Sequence, residues 1–212
     1  MNKSKATGWE RTGAAVWQQL HTRLHILPTT LARSPAQVRE RFATPMALWQ
    51  VVAPGLAPLP LPLRERWLAA PGGHLVLTPD RHGFVPGPQP FRGETLTDVA
   101  WLQVALWLSD RTAFYEPVGW LVYHLLRDRF DLEAVASTSP WASFWQGLQS
   151  GWQAGYGLGE AARRDVVGYL VEGIAAYLGD RRALNRRDPR LEKLLAATVF
   201  NPPFYRHLPV RA

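Results

Sequence analysis

His21 and His25 stand four residues apart, the spacing at which two imidazoles share a helix face and can hold a zinc ion. Between them lie Thr22, Arg23 and Leu24. With no Glu after His21 the metalloprotease pattern lacks its general base, and Arg23 sets a positive charge beside any cation. The pair reads as two surface histidines, and no metal ligand is assigned. His124 sits in the apolar run Val118–Leu126 with Asp128 one turn later. A carboxylate at that spacing orients an imidazole and raises its pKa, which prepares a general base. No serine, metal site or second acid is linked to it in the sequence, so it reads as a structural histidine and no catalytic residue is assigned. Were the chain an enzyme, His124 with Glu116 or Glu172 would be the place to look.

Two segments are suited to anions. Gly155-Tyr156-Gly157-Leu158-Gly159 opens a helix bearing Arg163 and Arg164, and a glycine-rich helix entry can offer backbone N–H groups to a phosphate. It follows no strand and lacks the Lys-Ser/Thr of a P-loop, so it reads as a turn between helices. The second segment holds Arg181, Arg182, Arg186, Arg187, Arg190 and Lys193 against only Asp188 and Glu192. Guanidinium groups pair bidentately with phosphate or carboxylate. An exposed linker paired with an acidic body is the plainer alternative.

Charge places this cluster in context. The net +7 belongs to the two ends. Residues 1–44 carry seven bases, Arg39 and Arg41 among them, and two acids, whereas residues 45–180 carry nine bases against thirteen acids. Such polarity steers a chain toward an anionic partner. Arg outnumbers Lys 21 to 3, which a GC-rich genome alone could produce. Ten Trp residues fall mostly at core spacing; Trp9, Trp49 and Trp67, beside basic or Pro-rich segments, could instead stack on bases or anchor an interface.

These residues need elements to position them. The 212-residue chain is long enough for a substantial core, and its 47% hydrophobic content is globular. The absence of cysteine excludes disulfides, thiolate metal sites and cysteine nucleophiles. The N-terminus lacks a signal-peptide core, and the longest apolar stretch, Val99 to Leu108, is too short to span a bilayer. A cytoplasmic protein without membrane contact or cofactor is the expectation.

Apolar periodicity predicts a helix from Trp9 to Leu27, ended by Pro28, and further starts at Ser34-Pro35 and Thr44-Pro45. Nine of 18 prolines fall between Pro54 and Pro90 and exclude any long helix there. Within that stretch a short helix over Leu63 to Ala70 and a hairpin pairing His74–Thr78 with Phe84-Val85 are expected. Beyond it, helices are expected from Thr97 through Leu108, from Glu116-Pro117 to Arg129, from Ser139-Pro140, from Glu160 to a stop at Gly179, and from Pro189 to Val199. An aromatic, Pro-rich tail should pack back on the body.

The fold expected is mainly α, a helical bundle with a Pro-rich segment carrying a small β-hairpin. Its regions are a basic helical part over 1–53, a connector over 54–93, and a bundle with a basic segment and tail over 94–212. The function expected is a non-catalytic binding subunit that engages nucleic acid or an acidic protein partner through its basic terminal segments. Arg181, Arg182, Arg186, Arg187, Arg190, Lys193, Arg39 and Arg41 would make the contacts. The alternatives are a structural component of a larger assembly, and an enzyme with a pocket around His124.

Overall fold

The computed structural model describes residues 15–130, 140–155 and 159–207. Residues 15–20 are helical; a 3-10 turn (His21–Arg23) and strand β1 (Leu24–Ile26) follow. The single helix expected through Leu27 therefore ends early, and its portion up to residue 14 lies outside the described residues. Pairing ends it: Leu24, His25 and Ile26 lie in parallel register with Leu75, Val76 and Leu77. Three short helices come next, α1 (Thr30–Arg33), α2 (Ala36–Arg41) and α3 (Pro45–Val52). Thr44 caps α3 as its position predicts, accepting the Ala47 N–H at 3.2 Å. Ser34 does not cap α2, because its hydroxyl donates back to the Thr30 carbonyl at 2.6 Å. A 3-10 turn (Ala53–Leu56) and helix α4 (Leu61–Ala69) lead to the sheet.

Strands β2 (His74–Thr78), β3 (Gly83–Phe91) and β4 (Glu94–Gln103) join β1 in the order β1-β2-β4-β3. The expected partners of the hairpin are thereby corrected. β2 pairs in parallel with β1 and β4, while β3 makes the antiparallel hairpin with β4. Leu75, Val76, Leu77 and Thr78 are all buried, the run expected of an interior parallel strand apolar on both faces. The helix expected from Thr97 is corrected too, since residues 94–103 are strand. Ala100 and Leu102 face the main core, and Val99 and Trp101 face a second apolar cluster with Val76, Phe91 and Leu96.

Helix α5 (Val104–Ser109) turns the chain into α6 (Arg111–Phe130), and then come α7 (Pro140–Gln153), α8 (Glu160–Arg164), α9 (Val166–Arg187), α10 (Pro189–Ala197) and a 3-10 turn (Pro202–His207). The chain is mainly helical with a small mixed sheet. One hydrophobic cluster extends from Val16 to Tyr205 and so draws on the whole described chain. Its spine is the crossing of α6 and α9. At Gly119 an added Cβ would stand 2.5 Å from the Val171 carbonyl oxygen, so glycine is what lets the two helices approach so closely. Trp49 and Trp67 are core residues, 2% and 1% exposed, and neither offers a face to a base. The tail packs back, with Phe200 stacked on Tyr177 at 3.8 Å between centroids.

Two expected helix ends differ in an informative way. Pro117 does not open a helix but lies inside α6, whose cap is Asp110, accepting the Ala113 N–H at 2.9 Å. Proline has no N–H, so the Ala113 carbonyl loses its intrahelical donor. Gly179 marks a real interruption. Asp180 is non-helical (φ −149°, ψ 78°) and recaps the chain through the Ala183 N–H at 2.9 Å, after which the basic cluster winds as a second helical segment.

Candidate functional site

Three cavities adjoin one another across the helical side of the molecule. The first, about 380 Å³, is walled by Arg41, Phe42, Trp107, Arg111 and Tyr115. Arg111 and Gly179 also line the second, of about 760 Å³, with Glu116, Glu172, Asp180 and Arg187. Glu116 then lines the third as well, of about 500 Å³, with His82, Phe84, Trp120, Tyr123 and His124. Arg41 ends α2, Arg111 begins α6 and Arg187 ends α9, and Arg41 and Arg187, one from each basic end, line two neighbouring cavities that share Arg111.

The first cavity holds arginines and no carboxylate, whereas in the second Arg111 and Arg187 stand with Asp110, Glu116, Glu172 and Asp180. Three of its carboxylates serve the backbone: Asp110 and Asp180 as caps, and Glu172 by accepting the Ala162 N–H at 3.1 Å. Glu116 has no hydrogen-bond or ion-pair partner among the described residues. Arg111 lies against Trp107, its guanidinium carbon 4.7 Å from the ring centroid, which spreads it along the wall.

The other sequence-predicted basic residues divide into two sets. Arg181 is held at home, with Nε and Nη2 both on Glu192 Oε1 at 2.7 and 2.6 Å and its guanidinium 4.4 Å from the Tyr177 ring centroid. Arg39, Arg41, Arg182, Arg186, Arg187, Arg190 and Lys193 are exposed, and of these Arg41 and Arg187 line these cavities. The segment is anchored by Asp188, fully buried, which accepts the Leu191 N–H at 2.9 Å and the Tyr169 hydroxyl.

His124 is backed by Asp98 of β4, whose Oδ1 lies 3.4 Å from Nε2 with both side chains under one-fifth exposed. The expected partner, Asp128, has its side chain outside the described residues. An imidazole backed by a carboxylate in an open cleft is the arrangement of a general base. The described lining of that cavity holds no Ser, Thr or Lys that such a base would activate. Across the cleft, burial lowers the His82 pKa against opposing pulls from Glu116 and the Ala113 carbonyl that Pro117 frees.

His21 and His25 separate, His21 on an exposed 3-10 turn and His25 on β1. His25 belongs instead to a chain of hydrogen bonds. Arg23 donates to His74 Nε2 at 3.2 Å, which leaves the His74 proton on Nδ1 to be donated to His25 Nε2 at 2.9 Å. The other Arg23 nitrogen donates to the Leu68 and Ala70 carbonyls at the end of α4. This latch joins two strands to a helix. Among the described residues no three of His, Asp and Glu gather as metal ligands, and no helix is long and apolar enough to cross a membrane. Residues 156–158 of the glycine-rich turn lie outside the described residues. No protein-family model, curated protein or solved structure matches the chain.

Sequence reasoning missed Arg111, Asp98 and His74. Ser109-Asp110-Arg111 carries a capping signal that could have placed the start of α6. The β-branched alternation Thr95, Thr97, Val99 could have marked β4.

Proposed function

We propose that this protein is a non-catalytic binding protein whose groove receives an extended segment of an acidic protein partner. The observation that carries this reading is that Arg41 and Arg187, one from each basic end, line adjoining cavities joined by Arg111. The acidic part of the segment lies over these three arginines, where carboxylates meet guanidinium groups. A protein partner is favoured over nucleic acid because the groove continues past Glu172 and Glu116. A polynucleotide repeats its negative charge at every step and would be repelled there, whereas a polypeptide can change charge with the groove. The test is fluorescence anisotropy of a labelled oligoglutamate peptide and of labelled oligothymidylate, each from low to physiological salt. The reading expects the peptide to bind more tightly than the DNA, with an affinity that falls as salt rises and is lost by about tenfold or more in Arg41→Glu/Arg187→Glu. Tighter DNA binding would move the assignment to nucleic acid, and an unchanged affinity in the double variant would overturn it.

A further inference from the structure

The third cavity differs in character from the arginine end. Glu116, Trp120, Tyr123 and His124 are spaced i, i+4, i+7 and i+8 along α6, a single stripe facing the groove. β3 supplies the opposite wall, with the Phe84 and His124 ring centroids 5.4 Å apart. Trp120 and Tyr123 meet edge to face at 6.1 Å, and both line the cleft. At the inner end stands Glu116, half-buried and without an ion-pair partner among the described residues. Its charge already acts on His82 of the same cavity, and such a carboxylate can take up a further cation as an ion-pair partner. Arg127 also lines the cavity, but it is exposed and stands eleven residues from Glu116, roughly 16 Å along the helix axis. Its charge therefore belongs to the mouth and is screened by solvent.

From this geometry we infer that the cavity between β3 and α6 is a subsite for a guanidinium-bearing side chain, an arginine of the bound polypeptide. The planar group stacks on Trp120 and turns its nitrogens to Glu116, while its methylene stem lies against Phe84 and Tyr123. Trp120 stands one turn, about 6 Å of rise, beyond Glu116, which suits a fork that stacks and pairs at once. Lysine, a point charge without a plane, would use the carboxylate but less of the aromatic wall. The inference rests on the groove reading for the source of the arginine and specifies what its far end recognises. The partner segment then carries acidic residues over Arg41, Arg111 and Arg187 and an arginine beyond them.

The test uses the full chain with N-acetyl-arginine amide and its neutral isostere N-acetyl-citrulline amide. Titration is followed in the Trp120 indole N–H resonance, assigned by its loss in Trp120→Phe. The arginine compound is expected to bind saturably and shift that resonance. The citrulline compound, and Glu116→Gln with the arginine compound, should each bind about tenfold more weakly. An unchanged unfolding midpoint for Glu116→Gln would tie its loss to recognition. Equal binding of citrulline, full binding by Glu116→Gln, or absence of saturation would overturn the subsite. Failure of the oligoglutamate peptide with retained, Glu116-dependent arginine binding would refute the groove reading alone.

Discussion

Asp98 holds His124 from a left-handed backbone position, φ +57°, that few residues other than glycine adopt within a strand. The position is explained by the bulge opposite it, where the β3–β4 register shifts between Val85 and Pro88 and Asp98 Oδ1 accepts the Gly87 N–H at 2.8 Å. One carboxylate thus ties a bulge, a strand and α6 together. Asp98→Ala keeps the strained φ and removes the acceptor, and should lower unfolding free energy by about 2 kcal/mol. Asp98→Gly relieves the strain and should lose less, and Asp98→Asn, which tolerates the conformation and still accepts, least of all. Urea unfolding ranks the three. A glycine variant less stable than the alanine one would refute the account.

Acid sensitivity should come from the latch on β1 and β2. Burial, with the charges of Arg23 and His25 added and only Asp98 opposing, lowers the His74 pKa from 6.5 to about 4. Burial lowers that of His25 as well, with Glu94 opposing and Arg23 and Arg92 reinforcing. Between pH 6.5 and about 4 the unfolded chain takes up a proton that folded His74 refuses, so stability is complete above that window and lost as pH falls through it. The thermal midpoint should drop by roughly 5 °C across the window, a figure reduced for the partial exposure of the pair. Scanning calorimetry of the parent against His74→Asn, whose dependence should be flatter, checks this. A steeper profile in the variant would reverse the sign and sink it.

The basic cluster should separate into a structural and a recognising part. Arg181, fixed on Glu192 and stacked on Tyr177, contributes to the packing of α9 on α10, and Arg181→Ala should cost about 1 kcal/mol. Arg187→Ala leaves no described contact broken and should change stability by less than about 0.5 kcal/mol. Oligoglutamate binding should respond the other way, weakening in Arg187→Ala and holding in Arg181→Ala. Unfolding curves and anisotropy on the same two proteins settle the matter, and a matched response in both would refute the division.

How far the sequence discloses this arrangement depends on the range of the interactions involved. Thr44-Pro45, Pro140 and Gly179-Asp180 act within a turn or two, and the helix boundaries they announce stand where expected. β2 and β4 depend on partners far along the chain. His74 and Val99 are register neighbours separated by the whole of β3, and an apolar run such as Val99–Leu108 reads equally as helix until that pairing is known. The groove is less legible still. Arg111 and Arg187 line one cavity because Gly119 and Gly179 let α6 and α9 close, since a Cβ at Gly179 would stand 2.6 Å from the Arg111 carbonyl oxygen. Glycine spacing alone does not disclose which helix it admits.

A last prediction comes from β3, an edge strand of the sheet among the described residues. Pro88 and Pro90 pair opposite Thr97 and Thr95 yet have no N–H to give the ladder, so they occupy the positions whose backbone faces away from β4. That orientation agrees with Gly87, whose N–H turns toward β4 to reach Asp98. All three prolines of the strand, Pro86 included, are exposed, and the outward edge is thereby stripped of donors that a second chain would need to add a strand. Pro88→Thr/Pro90→Thr restores two outward donors with a residue suited to strands and breaks no ladder bond. Its unfolding midpoint should move little, while its apparent mass in light scattering should rise with concentration above that of the parent. A double variant as monodisperse as the parent at every concentration would mean that the prolines do not guard this edge.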